Sequence, residues 1–203
     1  MTTEEPRRPG RPRSEEARRA ILHAALDLAA EHRPRGVAMD AIARRAGVSK
    51  ETLYRWWRSK AEVLVEAMAE RGAETIPLPE TGSLAGDLRR FLRATAASAD
   101  EPTRRILRAL AAEAASDPGY AELVRDRFLV RRRAALETLL QRAVRAGQLD
   151  PARAALALDL VFGSLWYRVI FGLGPVDQEW ADGVADAISA LATAPSTPRP
   201  ASG

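Results

Sequence analysis

The sequence predicts an all-α protein, and three observations carry that prediction. Apolar residues recur three and four apart from Ile21 to Leu191, which collects them on single helical faces. No stretch alternates apolar and polar residues in the way a half-buried strand requires. Ser, Asp or Asp-Pro opens most of the apolar segments, and Gly or Pro closes them.

Length and composition narrow the function. At 203 residues the chain can bury a sizeable core in one domain or two small ones. It contains no cysteine, which excludes disulfides, thiolate metal sites and cysteine nucleophiles. His23 and His32 are its only histidines, and neither has a partner at metal-ligand spacing, so no metal and no cofactor are expected. The first residues are charged and lack the apolar core of a signal peptide, which places the protein in the cytoplasm. Residues 1–60 hold 14 Lys or Arg against 8 Asp or Glu, a net +6, whereas the remainder holds 17 against 19, a net −2. A basic excess confined to one end is the electrostatic footprint of nucleic-acid binding. Lys50 and Lys60 are the only lysines, and both lie in that end.

Residues 1–13, MTTEEPRRPGRPR, are rich in Pro, Gly and Arg without apolar periodicity and read as a disordered basic arm. Ser14 is placed to cap a first helix, with Glu15 and Glu16 at the positive end of its dipole. In that helix Ile21, Leu22, Ala25, Leu26, Leu28 and Ala29 form a broad apolar stripe, which stops before Pro34. Two short helical patterns follow, flanking a break at Gly47-Val48-Ser49. Ile42, Ala43 and Ala46 line one face of the first, with Arg44 and Arg45 turned away. Gly47 ends it, because only Gly enters the left-handed region without a Cβ penalty.

Ser49 suits the N-cap of the next helix. There Leu53 and Trp57 point inward with Val48, while Lys50 with Tyr54, Glu51 with Arg55 and Thr52 with Trp56 fall on the outward side. Two short helices around a tight turn are the layout of a helix-turn-helix, whose second helix enters the DNA major groove. The outward set carries a cation, a carboxylate, hydroxyls and aromatic edges, the groups that read bases and hold phosphates. A flexible arm ahead of such a unit can reach the adjoining minor groove, and Arg11 and Arg13 are its nearest cations; a merely solubilising tail is the alternative. Ser59 and Glu62 form a capping box for the helix after it. Lys60 sits in that helix's first turn, where a cation opposes the dipole and an anionic partner accounts for it better than helix stability does.

Beyond Thr75, Pro77, Pro79 and Gly82 interrupt the helical pattern, and the domain boundary is placed there, giving 14–76 and 83–193 as the two folded regions. Ser83 opens a helix bearing Leu84, Leu88, Phe91, Leu92 and Thr95. Pro102 suits the first turn of another, with Ile106, Leu107, Leu110 and Ala111. Asp117-Pro118 starts a long helix carrying Leu123, Val124, Phe128, Leu136, Leu139, Leu140 and Val144 that ends at Gly147. Asp150-Pro151 opens the next. Its residues 154–171 are apolar almost all round, yet Asp159 and Arg168 would each cost about 2.5–3.5 kcal/mol in mid-bilayer. No membrane span is therefore expected, and a helix of this kind is covered on both sides only if a partner covers it. A last helix spans about 178–193, and residues 194–203 read as a disordered tail.

The pattern A-x-x-A-G-V-S-x-x-T-L-Y-x-x-W-x-S-K-x-x-[VL] across residues 43–64 resembles the DNA-binding domain of the TetR family of bacterial transcriptional regulators. The resemblance is strong over about the first 70 residues and extends beyond them only in length, helix order and the apolar penultimate helix. It implies an N-terminal three-helix DNA-binding domain followed by a C-terminal helical ligand-binding and dimerisation domain. Lys50, Glu51, Thr52, Arg55 and Trp56 then correspond to base-reading positions, Tyr54 and Lys60 to phosphate contacts, and Arg44 and Arg45 to backbone contacts, with Ser49 at the turn. The sequence departs from the family at Val37 and Ala38, where Thr or Ser commonly caps the second helix and touches phosphate; that contact is not expected here.

For the second domain the resemblance implies a homodimer made by the last two helices, with Leu160, Gly163, Ser164, Trp180, Val184, Ala187, Ile188 and Leu191 as interface candidates. It also implies a pocket for a small apolar or amphipathic effector, for which Phe91, Ile106, Leu110, Phe128, Phe162, Trp166 and Tyr167 are the candidate lining. A two-fold dimer calls for an inverted-repeat operator on double-stranded DNA. No catalytic constellation occurs in 83–193, so no enzyme is expected, and the function the resemblance implies is that of a repressor released by a small molecule. The alternatives are an effector-independent DNA-binding protein of low sequence specificity, and an all-helical enzyme or protein-interaction module.

Overall fold

The computed structural model describes residues 11–32 and 36–193, with side chains from residue 15 onward. The chain divides into two compact units, Met1–Met68 and Ala69–Gly203. Among the described residues the secondary structure is entirely helical. The expected arm at 1–10, the tail at 194–203 and the side chains of Arg11 and Arg13 lie outside the description.

The first unit holds α1 (Arg11–His32), α2 (Met39–Ala46), α3 (Lys50–Trp56) and the opening of α4 (Lys60–Thr75). The first helix begins at Arg11, one turn before the expected Ser14 cap, so the backbone of residues 11–13 is helical and not part of an extended arm. Ile21, Ala25 and Ala29 of α1 are fully buried and, with Leu22 and Leu28, form one continuous core with Ile42, Ala43, Leu53, Trp57, Val63 and Val65. The division between units falls inside α4, upstream of the loop at 77–82.

The second unit contains α5 (Leu84–Ser98), α6 (Glu101–Ala114), α7 (Pro118–Val124), α8 (Val130–Arg145), α9 (Pro151–Phe171) and α10 (Gln178–Thr193). α5 packs against α10 and α8, α6 against α7 and α9, and α9 against both α8 and α10. The starts follow from side-chain caps. Ser83 accepts from the Gly86 N–H, Asp100 from Thr103, Asp117 from Tyr120 and Asp150 from Ala152. Asp100, one residue earlier than the Pro102 signal implied, caps α6, which leaves Pro102 within the first turn. The long helix expected from Pro118 to Gly147 is interrupted at Arg125–Leu129 by a π-helical turn that separates α7 from α8.

Candidate nucleic-acid interface

The turn between α2 and α3 is fixed by backbone hydrogen bonds. Gly47 adopts φ 68° and ψ 29°, and Val48 N–H reaches back 3.0 Å to the Ala43 carbonyl, closing α2. α2 opens without a side-chain cap, because its N-cap is Ala38 and the neighbouring Val37 is buried. α3 is capped: the Ser49 hydroxyl accepts from the Thr52 N–H at 3.1 Å and exchanges a 3.0 Å hydrogen bond with the Thr52 hydroxyl. The Ser49 oxygen and the Thr52 hydroxyl are thus engaged within the turn, and their first task is to hold it.

Leu53 and Trp57 anchor α3 to the core, at 0 % and 2 % exposure. The Trp57 indole N–H donates to Glu66 Oε2 at 2.8 Å, and Glu66 Oε1 accepts from Arg18 Nη2 at 2.8 Å. This bridge ties α1, the end of α3 and α4 into one frame, so a buried donor is satisfied by a carboxylate that is itself paired. The capping box at α4 forms with one change of partner. Glu62 N–H donates to the Ser59 hydroxyl at 3.3 Å, while the Glu62 carboxylate accepts from the Arg58 N–H at 3.1 Å instead of that of Ser59.

With those anchors in place, Lys50, Glu51, Tyr54 and Arg55 lie exposed on α3. Tyr54 is half exposed. Trp56 is less free than its position on the outward side implied: its ring meets Trp57 edge to face at 5.4 Å, and the Arg55 guanidinium lies 5.8 Å over it. Lys50 Nζ pairs with Asp40 Oδ2 at 2.5 Å, a contact between α2 and α3 that the spacing of neither helix reveals. Arg45 makes a two-pronged ion pair with Glu31, at 2.9 and 2.8 Å. That hydrogen bonding holds the Glu31 carboxyl below the ordinary carboxylate range and raises Arg45 above its own. Arg44, beside it, is exposed and makes no ion pair among the described residues. Lys60 is half-buried in the first turn of α4.

In the second unit the candidate effector-lining residues do not share one environment. Phe91, Ile106, Leu110 and Phe128 are buried, Phe162 and Trp166 are half-buried, and Tyr167 is 55 % exposed. Tyr167 is therefore withdrawn from the pocket set; it packs against Phe171 on an open helix face. A cleft of about 210 Å³ occurs elsewhere, lined by Glu80, Ser83, Asp87, Arg142 and Gln148 among others, and contains none of the seven.

The interface candidates divide likewise. Leu160, Gly163 and Ala187 are exposed, and Val184 and Leu191 are half-buried. Trp180 and Ile188 are buried within the protomer, and the Trp180 indole donates to the Ser164 hydroxyl at 3.2 Å. Trp180 and Ser164 thus join α9 to α10 inside one chain, and the buried side chain of Ile188 is spent on the protomer's own core. Leu156 and Phe171, at 48 % and 70 % exposure, stand open on α9 and are not among those candidates. With Leu160, Gly163 and Tyr167 they follow the i, i+4, i+7, i+11, i+15 spacing of one stripe on α9. Periodicity could not single out that stripe in a helix that is apolar on nearly every side.

Comparison with known proteins agrees with this architecture. Residues 21–67 match the family described as bacterial regulatory proteins, tetR family, and residues 78–188 match the tetracyclin repressor-like C-terminal domain. The chain is 33% identical over 162 residues to the HTH-type transcriptional regulator YdeS of Bacillus subtilis (strain 168), covering 79% of this chain and 82% of that one. It superposes on the crystal structure of the TetR family transcription regulator SCO0332 with a TM-score of 0.77 and 28% identity, over 89% of this chain and 100% of the other. The flavonoid-responsive regulator FrrA matches with a TM-score of 0.60 and 26% identity, over 88% and 97% of the two chains. Since one family accounts for the helix-turn-helix and for the helical unit that follows, the chain belongs to the TetR family of DNA-binding transcriptional regulators.

Proposed function

We propose that the protein is a cytoplasmic, homodimeric repressor that binds an inverted-repeat operator and leaves it when a small apolar or amphipathic effector enters the second domain. The observation that carries this reading is the exposed side of α3, where Lys50, Glu51, Tyr54 and Arg55 stand on a helix locked from beneath by Leu53 and Trp57. A rigid helix presenting mixed donors and acceptors suits base readout, whereas a uniformly basic surface would suit only phosphate binding. Residues 14–76 are assigned to DNA binding and 83–193 to effector response and dimerisation. Tyr54, Lys60 and Arg44 are assigned to phosphates. Arg45 can join them only by exchanging Glu31 for DNA. The dimer is assigned to the α9 stripe of Leu156, Leu160, Gly163, Tyr167 and Phe171, with Val184, Ala187 and Leu191 of α10. The flavonoid-responsive character of FrrA supports a small-molecule effector, and no catalytic role is assigned.

Selection of bound duplexes from random DNA tests the reading. An inverted repeat should emerge, with half-sites about one helical turn apart or a multiple of it. Within that site Lys60→Ala should weaken binding to all sequences alike, while Lys50→Ala should change which base is preferred. Random duplex bound as tightly as the selected site, at matched salt, would overturn sequence-specific repression.

A further inference from the structure

Arg132 occupies an unusual place for a cation. It lies on α8 four residues after Phe128 and four before Leu136, and both neighbours are buried, so the arginine interrupts the inward, apolar face of its helix. Its guanidinium sits 5.5 Å from the centroid of the fully buried Phe91 ring, and its Nη1 donates to the Gly72 carbonyl at 3.2 Å. A Cβ on Gly72 would stand 3.1 Å from Arg132 Cδ. A glycine inside α4, which weakens a helix, is thereby accounted for by the passage of the arginine stem.

Among the described residues Arg132 has no counter-ion. Arg71, Arg89, Arg104, Arg108 and Arg142 are also half-buried in this unit and each meets a carboxylate, whereas Arg168, in the last turn of α9, reaches only the Pro175 carbonyl among the described residues and faces no aromatic core. Arg132 makes no ion pair among the described residues, and burial lowers its pKa to about 10, which leaves it charged at neutral pH. A half-buried cation held only by one carbonyl and an aromatic face gains little for the hydration it gives up, and replacement of such a group by an apolar one is often neutral or stabilising. The guanidinium fork has further N–H groups and matches a carboxylate in geometry. The π-helical turn at Arg125–Leu129 lies immediately upstream, and such turns recur at functional sites.

We propose that Arg132 is the anchor for an anionic head group of the effector, so that the molecule recognised is an amphipathic acid and not a neutral or cationic compound. The proposal rests on the effector reading above and adds the charge class of the ligand. Two matched pairs serve as probes: decanoate with decanol, and phenylacetate with phenylethanol. Thermal melting is measured on the full chain as wild type, Arg132→Met and Arg132→Lys. The carboxylate of at least one pair should raise the wild-type Tm, by roughly 5–10 °C at about a hundredfold its Kd. Its alcohol should do markedly less. Arg132→Met should abolish the shift while melting no lower than wild type without ligand, and Arg132→Lys, which retains the charge, should retain part of it. Equal shifts within each pair, no shift from any probe, a carboxylate shift that survives in Arg132→Met, or an Arg132→Met protein that melts well below wild type would each overturn the assignment. The effector reading fails on a separate measurement, release of the selected operator duplex. If the alcohols release it as well as the acids do, an effector exists and Arg132 does not select its charge.

Discussion

The ammonium group of Lys50 is already paired, held by Asp40 on the preceding helix, so the base contact proposed for it has a competitor within the protein. Base or phosphate contact by Lys50 must displace that carboxylate, whose own charge also repels the duplex. Asp40→Asn should therefore tighten binding to any duplex by about two- to fivefold at low salt, with the gain shrinking as salt rises. Fluorescence anisotropy at two ionic strengths checks it, and a gain confined to one operator sequence would contradict it. Beneath the same helix, Trp57→Ala should lose roughly 3–5 kcal/mol through cavity formation. Glu66→Ala should lose about 1–3 kcal/mol, since it leaves the buried indole N–H without an acceptor. Denaturant titration measures both. The outward and inward residues of α3 were legible from spacing alone. The partners Asp40, Glu31 and Glu66 were not, because they sit on other helices, and Arg18 and Glu66 are 48 residues apart.

At the scale of elements, the two helices of the DNA-binding motif are secured unequally. α3 starts on a serine whose side chain accepts from Thr52, whereas α2 starts on an alanine that has only its backbone carbonyl to offer, to the Ala41 and Ile42 N–H groups. Ser49→Ala should cost about 1 kcal/mol, and Ala38→Ser should gain a similar amount by supplying the absent cap. Equilibrium unfolding of the two variants should move in opposite directions; equal movement would mean that water already serves α2 as well as a hydroxyl would. Helix starts at Ser83, Asp117 and Asp150 were readable for the same reason, since a cap is a local arrangement of a side chain and the next few N–H groups. The π-helical turn after Val124 was not readable, because one residue inserted into an apolar pattern leaves spacings of three and four intact on either side.

For the whole molecule, the proposed function requires a second copy, and the stripe on α9 is where the proposed dimer would close. A carboxylate at its centre, Leu160→Asp, should give a monomer by sedimentation while leaving helix content unchanged, because Leu160 contributes little to its own core at 42 % exposure. Operator affinity should then fall by at least about tenfold, as each monomer reads one half-site. Retained dimerisation would redirect the interface to another surface.

By itself the sequence determined the all-helical class, the caps and turn of the helix-turn-helix, and the confinement of positive charge to the DNA-binding end. Each of these is written in residue type and short-range spacing. Only the tertiary structure decided which sides of α9 and α10 are covered, turning Trp180 and Ile188 inward and leaving Leu156 and Phe171 open, and only it left Arg132 without a counter-ion among the described residues. A helix that is apolar all round has no moment to orient it. A charge is buried or paired only by what distant segments bring against it.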